Sequence, residues 1–152
     1  LASTVLQEFV IRHSFGELKP FVKPAPDRAG RIAEIDELLK AGCYGTAPKE
    51  TALKKFMEGP AIERRRRLIE AHWEAIRARL KKQLIPYAET KKMLQNAGCP
   101  VTPAEIGLTA EQFLHGIRAS QLIRIRYTVM DLLYEAGVLD EAMKDLSVMM
   151  EQ

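Results

Sequence analysis

The side chains able to do chemistry in this chain are few and scattered. His13, His72 and His115 occur singly on separate segments, and none belongs to a paired motif such as His-Glu-x-x-His, which sets two ligands on one helical face. Glu111 lies one helical turn before His115, but two donors are fewer than a zinc site takes. Cys43 and Cys99 are far apart in the sequence and lack zinc-ligand spacing, so both read as reduced thiols of a cytoplasmic protein. No nucleophile elbow, P-loop or glycine-rich dinucleotide loop occurs. No catalytic, cofactor-binding or metal-binding residue is therefore assigned.

One stretch stands apart, SQLIRIRYTVMDLLYEAGVL, where Arg124 and Arg126 interrupt an apolar helical pattern. On a regular α-helix two residues at this spacing point about 200° apart, so they cannot share a site unless the helix is broken there. Thr128 with Asp131 three residues on has the form of a capping box, which marks a helix start and supports such a break. Two roles are open to the pair. An arginine braces the junction by donating to free backbone carbonyls, or it contributes to an anion or subunit contact. Arg124, Arg126, Tyr127 and Thr128 are the candidates for that structural or interface role.

A second basic stretch, ERRRRLIEAHWEAIRARLKK, suggests nucleic-acid binding at first sight. Arg64, Arg65, Arg66 and Arg67 are consecutive, however, and so point in all directions around a helix rather than forming one face. Glu63, Glu70 and Glu74 stand at pairing distance along the helix, and Trp73, the one residue able to stack on bases here, belongs to the apolar stripe. The stretch reads as a solvated helix.

These residues must be positioned by helices, because apolar positions recur at spacings of three and four and nowhere alternate over a strand length. A first helix is expected over 2–13, with Val5, Leu6, Phe9 and Val10 on one side and a break at Phe15 and Gly16. From Asp27 a second carries Ile32, Ile35, Leu38 and Leu39 and ends near Gly42. The segment 41–51 reads as a loop, with a short helix after it over 52–57. Pro60 suits the first turn of a long helix whose stripe runs Ile62, Ile69, Trp73, Ile76 and Leu80. Pro86 opens another, closed by Gly98. Two capping boxes come next, Thr102 with Glu105 and Thr109 with Gln112. The second starts the helix that carries Phe113 and Ile117 towards the arginine pair. Gly137 separates helices over 128–136 and from Leu139 onward.

With 152 residues, 47% apolar and 28% charged, the chain suits one all-α multi-helix domain over 1–152. The balance of 23 basic against 20 acidic residues, net +3, implies no nucleic-acid partner. No apolar run approaches the roughly 20 residues that span a bilayer, so no membrane partner is expected. No signal peptide is apparent, and the sequence starts at Leu1 without methionine, which suggests a fragment.

The stretch 72–141 resembles the C-terminal helical domain of glycerol-1-phosphate dehydrogenases, in the superfamily of iron-containing alcohol dehydrogenases, glycerol dehydrogenase and dehydroquinate synthase. The pieces that carry the resemblance are HW before a basic helix, AGCPVTPAEIGL, and IRIRYTVMDLL with EAGVLDE after it. The resemblance implies a dehydroquinate synthase-like C-terminal helical domain and a two-domain parent. In that parent an N-terminal nucleotide-binding domain holds NAD(P), and the C-terminal helical domain binds a divalent metal, zinc or iron, through one aspartate and two histidines, one of them in a His-Gly motif. Leu1 falls after that motif. His13 is followed by serine, and His115, though followed by Gly116, comes too late to be the ligand. The fragment is thus expected to be inactive by itself, its partner being the missing nucleotide-binding domain. A free-standing helical interaction module and part of a dehydroquinate synthase-like lyase are the alternatives. Loss of a partner domain would leave apolar faces uncovered, at Val5, Leu6, Phe9 and Val10 and at Leu146, Met149 and Met150. A homo-oligomer is expected for that reason.

Overall fold

A computed structural model of the chain describes residues 1–21, 24, 26–40 and 47–150. Among these residues the regular structure is helical, with no strand: α1 Ala2–Arg12, α2 Phe15–Leu18, α3 Arg28–Lys40, α4 Ala47–Lys55, α5 Pro60–Gln83, α6 Tyr87–Asn96, α7 Ala110–Ser120, α8 Val129–Ala136 and α9 Leu139–Met150. A single 3-10 turn, Ala104–Ile106, precedes α7. No helix among them is long and apolar enough to cross a membrane.

The long helix α5 begins at Pro60, where the missing N–H leaves nothing unpaired. Its stripe faces inward: Ile62, Ile69 and Trp73 are buried, and Ile76 and Leu80 pack partly covered at the far end. Trp73 meets Phe15 edge-on, with ring centroids 5.8 Å apart. Its indole Nε1 donates to the His13 carbonyl at 3.0 Å. One turn further along, the Arg77 guanidinium donates to the Ile11 carbonyl through Nε at 3.1 Å and Nη2 at 2.8 Å. Residues of α5 therefore satisfy carbonyls at the end of α1, which have no partner within their own helix.

Around this axis α1, α8 and α9 close the main core, with Val5, Val10, Leu133, Ala136, Ala142 and Leu146 all fully buried. The apolar faces expected to lie open at the two ends are covered instead. Val5, Leu6, Phe9, Val10 and Leu146 are buried and Met149 and Met150 half-buried, because α1 and α9 pack on each other and supply the partner each lacks. An Arg12–Asp145 ion pair joins the same two helices at their rim. Tyr87, at the start of α6, ties in as well: its N–H donates to Glu8 at 2.6 Å and its hydroxyl to the Met149 carbonyl at 3.2 Å.

A second, smaller cluster lies apart from the first, formed by Ile35 of α3, Ala52 of α4 and Leu122, with Leu38, Leu39 and Leu53 around it. Here the helix boundaries differ from expectation. The segment 47–51 is helical rather than loop, since Pro48 and Glu50 both suit a first helical turn and the helix buries Ala52 against α3. Residues 56–57 lie outside it. The break expected at Phe15 and Gly16 is the short helix α2, started by a capping box of Ser14 and Glu17. Gly42 and Cys43 lie outside the described residues; Cys99 is a free, exposed thiol.

Both expected capping boxes before α7 are formed. Glu105 accepts from the Thr102 N–H at 3.0 Å. At the second, Gln112 accepts from the Thr109 N–H at 2.9 Å while the Thr109 hydroxyl accepts from the Gln112 N–H at 3.1 Å. Gly137, with φ of 75°, ends α8 in the left-handed conformation that costs glycine little. The turn delivers the chain straight into α9.

Candidate functional site

The helix breaks at the arginine pair. α7 ends at Ser120, and α8 starts only after Thr128, so the pair lies in a bent, non-helical loop rather than on α7 as the apolar pattern suggests. No backbone–backbone hydrogen bond among the described residues involves residues 123–127. Ile123, Ile125 and Tyr127 are 53%, 63% and 48% exposed, and Arg124 and Arg126 are exposed too. Neither guanidinium hydrogen-bonds or ion-pairs with another described residue. The junction is pinned by other groups. Asp131 Oδ2 accepts from the Thr128 N–H at 2.8 Å and from its hydroxyl at 3.0 Å, completing the capping box.

Beneath the loop lies a polar seam that no short motif announces. Lys55, the last residue of α4, sets its Nζ 2.6 Å from Asp131 Oδ1, so one carboxylate caps α8 and pairs with a lysine of α4. Both side chains are largely buried, and a desolvated pair persists only when each charge is matched. On α3, Arg31 is buried, lies 4.0 Å over the Tyr134 ring, and donates to Glu34 at 3.1 Å and to Gln121 at 3.3 Å. The Tyr134 hydroxyl donates to the same Glu34 carboxylate at 2.6 Å. Removal from water raises the Tyr134 pKa, and the acceptor Glu34 raises it further, against the opposing Arg31 charge.

Tyr127 turns its hydroxyl back to the body of the molecule, donating to Glu135 at 2.7 Å. Arg65 stacks over the ring at 4.9 Å and reaches Glu135 at 3.5 Å. Although the ring is half exposed, desolvation of the inward-turned hydroxyl first, then the hydrogen bond to Glu135, pushes the Tyr127 pKa well up; burial also raises the Glu135 pKa. The arginine run on α5 is therefore not wholly a solvated face. Arg64 and Arg67 are exposed, whereas Arg65 serves this seam and Arg66 stacks over Phe21 at 5.0 Å. Such inward arginines are hidden in the sequence because their aromatic and acidic partners lie on α8, in the loop before it and at Phe21.

A cleft of about 600 Å³ runs along the seam, lined among others by Arg31, Glu34, His115, Arg118, Tyr134 and Asp140. Its size falls in the usual range for small-molecule sites. Its charges largely answer one another, as Arg118 pairs with Asp140 at 2.7 Å and Arg31 with Glu34. Among the described residues no group of three or more His, Cys, Asp and Glu is close enough to hold a metal. The donors among the described residues thus do not make up a zinc or iron site. Comparison with family models, with curated proteins and with solved structures finds no match to this chain.

Proposed function

We propose that the chain is the helical part of a metal- and NAD(P)-dependent oxidoreductase of the glycerol-1-phosphate dehydrogenase kind, not active by itself. The observation that supports the reading is the helix break at residues 123–127. The motif IRIRYTVMDLL, which carries the resemblance, holds Arg124 and Arg126 out of the helix beside a capped helix start, as suits a loop that meets a second domain or a charged ligand. In this reading a nucleotide-binding domain that carries the cofactor site lies N-terminal to Leu1, and the metal ligands belong to the part of the helical domain that precedes Leu1. The assembled cytoplasmic enzyme is a homo-oligomer.

The coding sequence upstream of Leu1 tests the proposal. A reading frame continuing into a strand-rich segment with glycine-rich nucleotide loops and a His-Gly motif is expected, and co-production of that segment with this chain should yield zinc- or iron-dependent oxidation of glycerol 1-phosphate. Turnover of a dehydroquinate precursor instead would assign the chain to the lyase branch. A frame with no such segment would leave a free-standing helical interaction module, a reading favoured by the exposed Ile123 and Ile125.

A further inference from the structure

The loop of residues 123–127 makes no backbone–backbone hydrogen bond with the described residues, yet the same pair of helices reaches both of its ends. At the leading end, Leu122 is fully buried between Ile35 of α3 and Ala52 of α4, and the neighbouring Gln121 accepts from the buried Arg31 of α3. At the trailing end, Lys55 of α4 holds Asp131, the carboxylate that fixes Thr128 at the start of α8. The cluster around Ile35 and Ala52 is separate from the main core and has Leu122 as its third buried member. The geometry points to α3–α4 as a clamp: the helix pair reaches the arginine-bearing loop at both ends, with Lys55 and Leu122 as positioning residues, and adds to the hold that Glu135 of α8 and Arg65 of α5 keep on Tyr127. Free loops of this length sample many conformations, and ordering them carries an entropic cost at the moment of binding. A clamp meets that cost in advance. The coupling is reciprocal, so whatever engages Arg124 and Arg126 also steadies the seat of α3–α4. The clamp is the same whichever reaction the parent performs.

Backbone ¹⁵N relaxation on the full chain tests it. In the wild type the amides of residues 123–127 should give order parameters near those of rigid backbone, ~0.8, despite their exposure. Lys55→Met, which removes the α4 hold on the trailing end, should bring the amides of residues 123–126 below ~0.6, the range of flexible segments, while Tyr127 keeps its tie to Glu135. Amides of α1 and α9 should keep their values, and Lys55→Arg should restore the loop. Leu122→Ala releases the other end and should have the same local effect, which keeps the test open if Lys55→Met does not fold. A wild-type loop already below ~0.6 would overturn the clamp. So would a loop unchanged in the variants, or a loosening shared equally by α1 and α9.

Discussion

At the scale of single residues, side chains with similar burial have different reasons to be there. Trp73 is 1% exposed, with its indole N–H bonded to the His13 carbonyl. Trp73→Ala should cost ~3–5 kcal/mol, the range for large core truncations, in a denaturant melt followed by circular dichroism. A loss below ~1 kcal/mol would mean that the core collapses around the gap. Lys55→Met leaves Asp131 buried without its cation, and should cost ~3–5 kcal/mol as broken buried pairs do. Replacing both partners with apolar residues should recover part of that loss. Trp73 is legible in the sequence because its place in the stripe is a local, periodic signal. Lys55 and Arg31 are not, since a charged residue on a polar helix looks solvated until its distant partners, Asp131 and Gln121, are brought beside it.

Glu135 supplies a pH test at the same scale. Burial raises its pKa in the folded chain, so the folded state holds the proton more firmly than the unfolded state. Stability contributed by this group is therefore present at low pH and lost as pH rises from the ordinary carboxylate value through the raised one. Glu135→Gln keeps an acceptor for the Tyr127 hydroxyl and removes the titration. The stability of the variant relative to wild type should then increase with pH across that window, as read from melts at a series of pH values. A difference that stays flat or declines would show that the Arg65 charge outweighs burial at this carboxylate.

At the scale of elements, helix starts are the most legible features, because a capping box is written within four consecutive residues. Thr109 with Gln112 and Thr128 with Asp131 both form their boxes. The same local logic misses α2, whose Ser14 and Glu17 box sits amid aromatic and glycine residues. It also places α4 late, because a proline in the first turn reads as a sign of loop. Removing a capping threonine typically costs ~1 kcal/mol, and the two boxes should differ in how far that loss spreads. Thr109→Ala should fray only the start of α7. Thr128→Ala alters the residue whose N–H and hydroxyl both anchor Asp131, so it should also speed hydrogen exchange at the end of α4. Equal, strictly local changes in the two variants would separate the cap from the Lys55 contact.

At the scale of the whole molecule, the two hydrophobic clusters change what association is expected of the isolated chain. Uncovered faces on the first and last helices are the reason to expect an oligomer, yet α1 and α9 bury those faces against each other, as period alone could not reveal: a helical stripe announces that it needs a cover and not which element provides it. The apolar surface left at the loop is interleaved with Arg124 and Arg126. If two copies met across a two-fold axis at this loop, each would present the same pair of cations to the other, and like charges brought together without an acid between them oppose the contact. The chain alone should therefore stay monomeric in light scattering across a concentration series at low salt. Raising the salt, which screens exposed charges over a few ångströms, should permit at most weak association, and Arg124→Glu should permit it already at low salt by pairing with Arg126 of a second copy. A stable dimer of the wild type at low salt would show that another surface, away from the arginine loop, joins the copies.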